Sequence, residues 1–115
     1  MRVMTPKETM NRYFETWNAR DFDAFESLLA DEVTFVGSLG TADGAAACRA
    51  GIERLSQALE RVEVQAMVAE GRDVITWFHL IRQGEDPVPV ANWSQVSDGK
   101  VQQARATFDP RPLLG

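Results

Sequence analysis

The stretch RYFETWNARDFDAFESLLADEVTFVGS, Arg12 to Ser38, decides the fold, because it reads as two short amphipathic helices running into a strand. Upstream, Thr5-Pro6 offers a side-chain cap followed by proline at the first helical position, and Met10, Tyr13, Phe14 and Trp17 recur at helical spacing. The first helix therefore turns an aromatic face inward. Asn18-Ala19-Arg20 breaks the pattern, Asp21 can cap again, and Phe22, Phe25, Leu28 and Leu29 mark a second helix ending at Ala30-Asp31. A strand of about five residues follows, Val33 to Gly37, then a glycine-rich loop, GSLGTADG. From Asp43-Gly44 a third helix is predicted to run to about Arg61, with Ile52, Leu55 and Leu59 on its apolar stripe.

The second half changes character. Val62 to Glu70, Asp73 to Gln83, Val88 to Ser97 and Lys100 to Phe108 have strand composition, and EGRD, GEDP and SDGK between them carry the Gly and Asp of tight antiparallel turns. This predicts a meander. With no repeat, low-complexity stretch or linker, residues 1–115 read as one domain. On the second of these strands Thr76, Phe78 and Leu80 alternate with Ile75, Trp77, His79 and Ile81, so both faces are apolar. Helices can cover only one face, which predicts a homodimer through the other, anchored by Trp77, His79 and Trp93.

At 115 residues the chain can bury roughly two thirds of its unfolded surface in one core. No apolar run approaches the roughly 20 residues of a membrane span. The N-terminus lacks the continuous apolar segment of a secretory signal, so a cytoplasmic location is expected. Cys48 is the single cysteine and His79 the single histidine, which leaves no cluster for a structural zinc and predicts no metal. No cofactor motif stands out either: the glycines between Gly37 and Gly44 follow no phosphate-binding pattern. Net charge is −5 and the basic residues are scattered, which argues against nucleic-acid binding.

Three motifs in order carry a family likeness: Tyr13-Phe14-Glu15-Thr16-Trp17-Asn18-Ala19-Arg20-Asp21-Phe22-Asp23, then Leu28-Leu29-Ala30-Asp31-Glu32-Val33, then Asp98-Gly99-Lys100-Val101 followed by Thr107-Phe108-Asp109-Pro110. Together they resemble the SnoaL-like polyketide cyclases and bacterial ketosteroid isomerases of the nuclear transport factor 2-like superfamily, over nearly the whole chain. The resemblance implies an α+β fold, a cone-shaped curved antiparallel sheet with the three N-terminal-half helices on its concave face. It also implies a small apolar or carbonyl-containing molecule in the cone and metal-free acid-base chemistry, either isomerisation or cyclisation.

Isomerase chemistry uses a carboxylate base and an oxyanion hole of a tyrosine and a protonated acid. In the resemblance the tyrosine falls on Tyr13, the protonated acid on Asn92, whose amide can still donate, and the base on Gly37, which has no side chain. The cyclases resemble another solution, an acid on the last strand, and Asp109 stands near there. Tyr13, Asn92 and Asp109 are thus the candidate catalytic residues, with Trp17, Phe35, Thr76, Phe78, Leu80 and Phe108 as ligand-binding walls. Strand alternation turns Asp109 away from Ala104, Ala106 and Phe108 unless the strand bends before Pro110. His79 shares the parity of Trp77, and Cys48 reads as a small buried apolar residue. The competing expectation is a non-enzymatic dimerisation or partner-binding module, its cone filled by its own side chains.

Overall fold

Thr5 starts the first helix, α1 (Pro6–Ala19), with a reciprocal cap: its hydroxyl accepts from the Glu8 amide at 3.1 Å while its own amide donates to Glu8 Oε1 at 2.9 Å. This is seen in a computed structural model, which describes residues 2–114. Arg20 ends α1 in the left-handed conformation, and its guanidinium donates to the Ser56 and Leu59 carbonyls at 3.2 and 2.8 Å. The residues that break the helical pattern therefore fasten the helix. Asn18 adds a two-way clamp: Nδ2 donates to the Val62 carbonyl at 2.9 Å and Oδ1 accepts from the Val62 amide at 2.8 Å.

After α1 come α2 (Phe22–Ser27), β1 (Leu29–Gly37), β2 (Gly40–Asp43), α3 (Ala45–Ser56), β3 (Arg61–Glu70), β4 (Asp73–Ile81), β5 (Val88–Ser97), β6 (Lys100–Thr107) and α4 (Arg111–Leu114). The fold is α+β, with one open six-stranded sheet in the order β2-β1-β6-β5-β4-β3. Register shifts in β1, β3 and at the β5–β6 pair mark bulges, which bend and twist a sheet. They give it the curvature that makes a cone. At the β5–β6 turn Asp98 and Gly99 both have positive φ, 55° and 69°, the geometry a two-residue hairpin turn requires.

The structure departs from the sequence reading in several places, one being the short α4 that no sequence signal announced. β1 begins at Leu29 rather than Val33, because Leu29 pairs with Val101; its spacing from Phe25 suits a helix equally well. The predicted loop GSLGTADG contains β2, which pairs with β1 from Thr34↔Asp43 to Gly37↔Gly40. α3 ends at Ser56, and Leu59 packs from the turn beyond it while still matching the helical stripe. The sheet is antiparallel except that β1 and β6 run parallel. That pairing joins segments some seventy residues apart, and hydrophobic period carries no strand direction.

Inward-facing Val74, Phe78, Leu80, Val90, Val96 and Val101 are buried, with α1 against β3 to β6 and α3 against β1 and β2. The other face of the sheet is apolar and open: Ile75, Trp77 and Trp93 are 44%, 46% and 41% exposed. Among the described residues no helix is long and apolar enough to cross a membrane.

Candidate functional site

Aromatic side chains fill one half of the cone. Phe14 meets Phe78 at 4.8 Å between ring centroids and Trp17 meets Phe78 at 5.9 Å, while Tyr13 packs on Phe25 at 4.7 Å. Tyr13 ends this cluster. Beyond it lies a cavity of about 870 Å³ between α3, the β1–β2 hairpin and the C-terminal segment. This lies within the range of small-molecule sites. Its walls are mostly apolar, from Phe25, Val33, Phe35, Ile52, Leu55, Val101, Phe108 and Leu113.

Tyr13 is only 3% exposed, yet its hydroxyl has no hydrogen-bond partner among the described residues. Burial, and secondarily the neighbouring Cys48, pushes its pKa well above the ordinary tyrosine value. The phenol therefore stays protonated at physiological pH and can donate. Cys48 lines the same wall; its thiol donates to the Ala42 carbonyl at 3.7 Å, and burial, with the Asp43 charge behind it, raises its pKa. The remaining polar groups on the walls include Asp43 at the start of α3, Arg54 near its end and Ser38, whose Oγ accepts from the Phe108 amide at 3.0 Å.

Of the residues predicted for the site, the structure gathers Tyr13, Phe35 and Phe108 around this cavity. Trp17, Thr76, Phe78 and Leu80 do not line it and instead belong to the packed half of the cone, where the Thr76 hydroxyl is buried without a partner. Asn92 does not share the cavity with Tyr13. It is 3% exposed on β5, cross-strand from Thr76 and Ala106, and its Oδ1 accepts from Ser94 Oγ at 2.7 Å. Asp109 stands outside the cavity, where hydrogen bonds from the Arg111 guanidinium and then the Arg111 amide hold its pKa down at about 2. Gly37 does border the cavity, but the Phe35 ring occupies the space beside it: a Cβ there would stand 2.7 Å from Phe35 Cε1.

Asp43, Cys48 and Arg54 are polar or thiol-bearing cavity residues that the sequence reading did not place at the site. Stepping the α3 stripe back four residues from Ile52 reaches Cys48, so helical period could have placed it on the inner wall. Asp43 ends a strand of only four residues, too short to show alternation. Trp77, Trp93 and Ile75 lie on the outer face, where Arg105 stacks over the Trp93 ring at 4.5 Å and a groove of about 550 Å³ runs past Val36, Ile75 and Trp93. His79, of the same parity, is half-buried. Among the described residues no three His, Cys, Asp or Glu side chains converge as a metal site would require.

Comparison with known proteins agrees with this architecture. Residues 10–104 match the model of the SnoaL-like domain. An NTF2-like protein of unknown function from Cytophaga hutchinsonii is 22% identical with a TM-score of 0.85, covering 100% of this chain and 98% of its own. A Jannaschia protein provisionally assigned as a SnoaL-like polyketide cyclase is 20% identical (TM-score 0.80, covering 95% and 88%). A Kribbella flavida protein provisionally assigned as a ketosteroid isomerase is also 20% identical (TM-score 0.81, 90% and 77%). The search of curated proteins found no match. With most of its length matched and the cone in place, the chain belongs to the SnoaL-like domain family of the NTF2-like fold.

Proposed function

We propose that the cavity binds a small, mostly apolar organic molecule whose carbonyl oxygen accepts a hydrogen bond from Tyr13. The observation that carries this is the unpaired Tyr13 hydroxyl on the wall of an otherwise apolar cavity of about 870 Å³. A ligand oxygen accepting from this hydroxyl gains the net worth of a hydrogen bond, roughly 0.5–1.5 kcal/mol. Isomerisation or cyclisation of such a substrate would rest on Tyr13 as neutral donor and on Asp43, the one carboxylate on the walls among the described residues. Residue 37 supplies no base, and Asp109 is engaged by Arg111.

A thermal-shift screen of wild type and Tyr13→Phe against steroids, aromatic ketones, epoxides and small hydrophobic acids tests the reading. A ligand at about 100 times its Kd adds roughly 2.7 kcal/mol, several degrees for a domain of this size. The expected result is a shift that shrinks in Tyr13→Phe. A shift of equal size in both proteins would place the ligand elsewhere, and no shift with any class would favour a module that works without a ligand.

We also infer a homodimer through the outer face of the sheet. Supporting it are the exposed Ile75, Trp77 and Trp93 beside Val36 and Val68, 52% and 63% exposed, since a monomer seldom leaves so continuous an apolar patch in water. Sedimentation at micromolar concentration should give a dimer that Trp77→Lys dissociates. A monomeric wild type would overturn the inference.

A further inference from the structure

Resting on the binding reading above, we propose that the ligand is an amphiphilic anion, its oxygen at Tyr13 and its carboxylate at Arg54. Tyr13 and Arg54 are unlike in exposure: the tyrosine is buried, whereas Arg54 is solvent-exposed while still bordering the cavity. They mark the closed end and the mouth. Arg54 also differs from the other arginines. Arg2, Arg12, Arg49, Arg61 and Arg111 pair with carboxylates, Arg20 and Arg82 donate to carbonyls, and Arg105 donates to Gln103. Only Arg54 and Arg72 have no such partner among the described residues, and Arg72 is not on the cavity.

The charged groups near the two ends of α3 differ. Asp43 precedes the helix and adds its charge near Cys48, which in turn neighbours Tyr13. Arg54 stands in the last turn of α3, where its charge attracts an anionic group. The ligand is a keto or hydroxy acid whose apolar chain runs between Phe35, Ile52 and Leu55.

Calorimetric titration with a ten-carbon keto acid and its methyl ester tests this in wild type, Arg54→Gln, Arg54→Lys and Arg72→Gln, with melting curves to confirm folding. Wild type should prefer the acid by about three- to five-fold, as an exposed ion pair allows. The preference should disappear in Arg54→Gln and persist in Arg54→Lys and Arg72→Gln. Equal affinity for acid and ester in wild type, or a preference kept by Arg54→Gln, overturns the anion proposal while leaving the cavity reading intact. Failure of both acid and ester to bind overturns this proposal, and the carbonyl-ligand reading then stands or falls on the uncharged ketones of the thermal-shift screen.

Discussion

Replacing Gly37 with alanine probes how firmly the Phe35 ring fills the space beside it. The added Cβ would meet Phe35 Cε1 at 2.7 Å and Cζ at 3.1 Å, with the Ala106 carbonyl at a comfortable 3.7 Å. Carbon atoms pack best at about 3.5–4.0 Å, so the ring must retreat by about 1 Å. Gly37 is not among the glycines with positive φ, so the backbone accepts alanine, and loss of glycine's freedom offers up to about 1 kcal/mol of stabilisation. Overpacking costs typically 1–3 kcal/mol. The expected net loss is about 1 kcal/mol, or several degrees in Tm. Phe35→Leu removes the ring edge, so the double variant should recover most of the clash, with a coupling of about 1 kcal/mol by urea denaturation. A neutral or stabilised Gly37→Ala, or a coupling near zero, would refute the claim that Phe35 holds the space beside Gly37.

Asn18→Ala removes both hydrogen bonds to buried Val62, and urea denaturation should show a loss of about 1–2 kcal/mol; an unchanged midpoint would mean water replaces the clamp. Hydrogen bonds from the Arg2 side chain and then the Thr5 amide lower the Glu8 pKa to about 2, below its ordinary value of about 4.3. A depressed carboxylate stabilises the fold fully above the ordinary value and loses that contribution as pH falls towards 2. Glu8→Gln should therefore flatten the acid limb of the stability profile in that window and nowhere above it. Burial raises the Cys48 pKa, so iodoacetamide should alkylate it at pH 8 far more slowly than a free thiol, and slower still with the cavity occupied. Labelling at the free-thiol rate would contradict its burial.

The fold was legible where local chemistry and global structure agree. The Thr5-Pro6 cap, the aromatic stripe from Met10 to Trp17 and the Asp98-Gly99 turn each announce themselves in a few residues. Leu29 and Leu59 misled because each keeps helical spacing while belonging to a strand and a turn. The site was less legible. Parity correctly separates Phe78 and Leu80 from Trp77, but it cannot say how far α1 fills the cone, and that packing decides which inward residues meet solvent space. Tyr13, Phe35 and Phe108 border the cavity because they stand where the aromatic cluster ends; Trp17, Thr76 and Asn92 do not. Asp43 and Arg54 carried no signal in isolation, since their meaning depends on α3 lying across the open half.

On the proposed reading, a ligand enters between α3 and the β1–β2 hairpin and stops at Tyr13. Methyl and aromatic NMR of the labelled protein, titrated with the strongest ligand from the thermal screen, tests it directly. Shifts are expected at Tyr13, Val33, Leu55, Val101 and Leu113, with Val74 and Val90 in the packed half nearly still. Shifts confined to Val36, Ile75 and Trp93 on the outer face would contradict it.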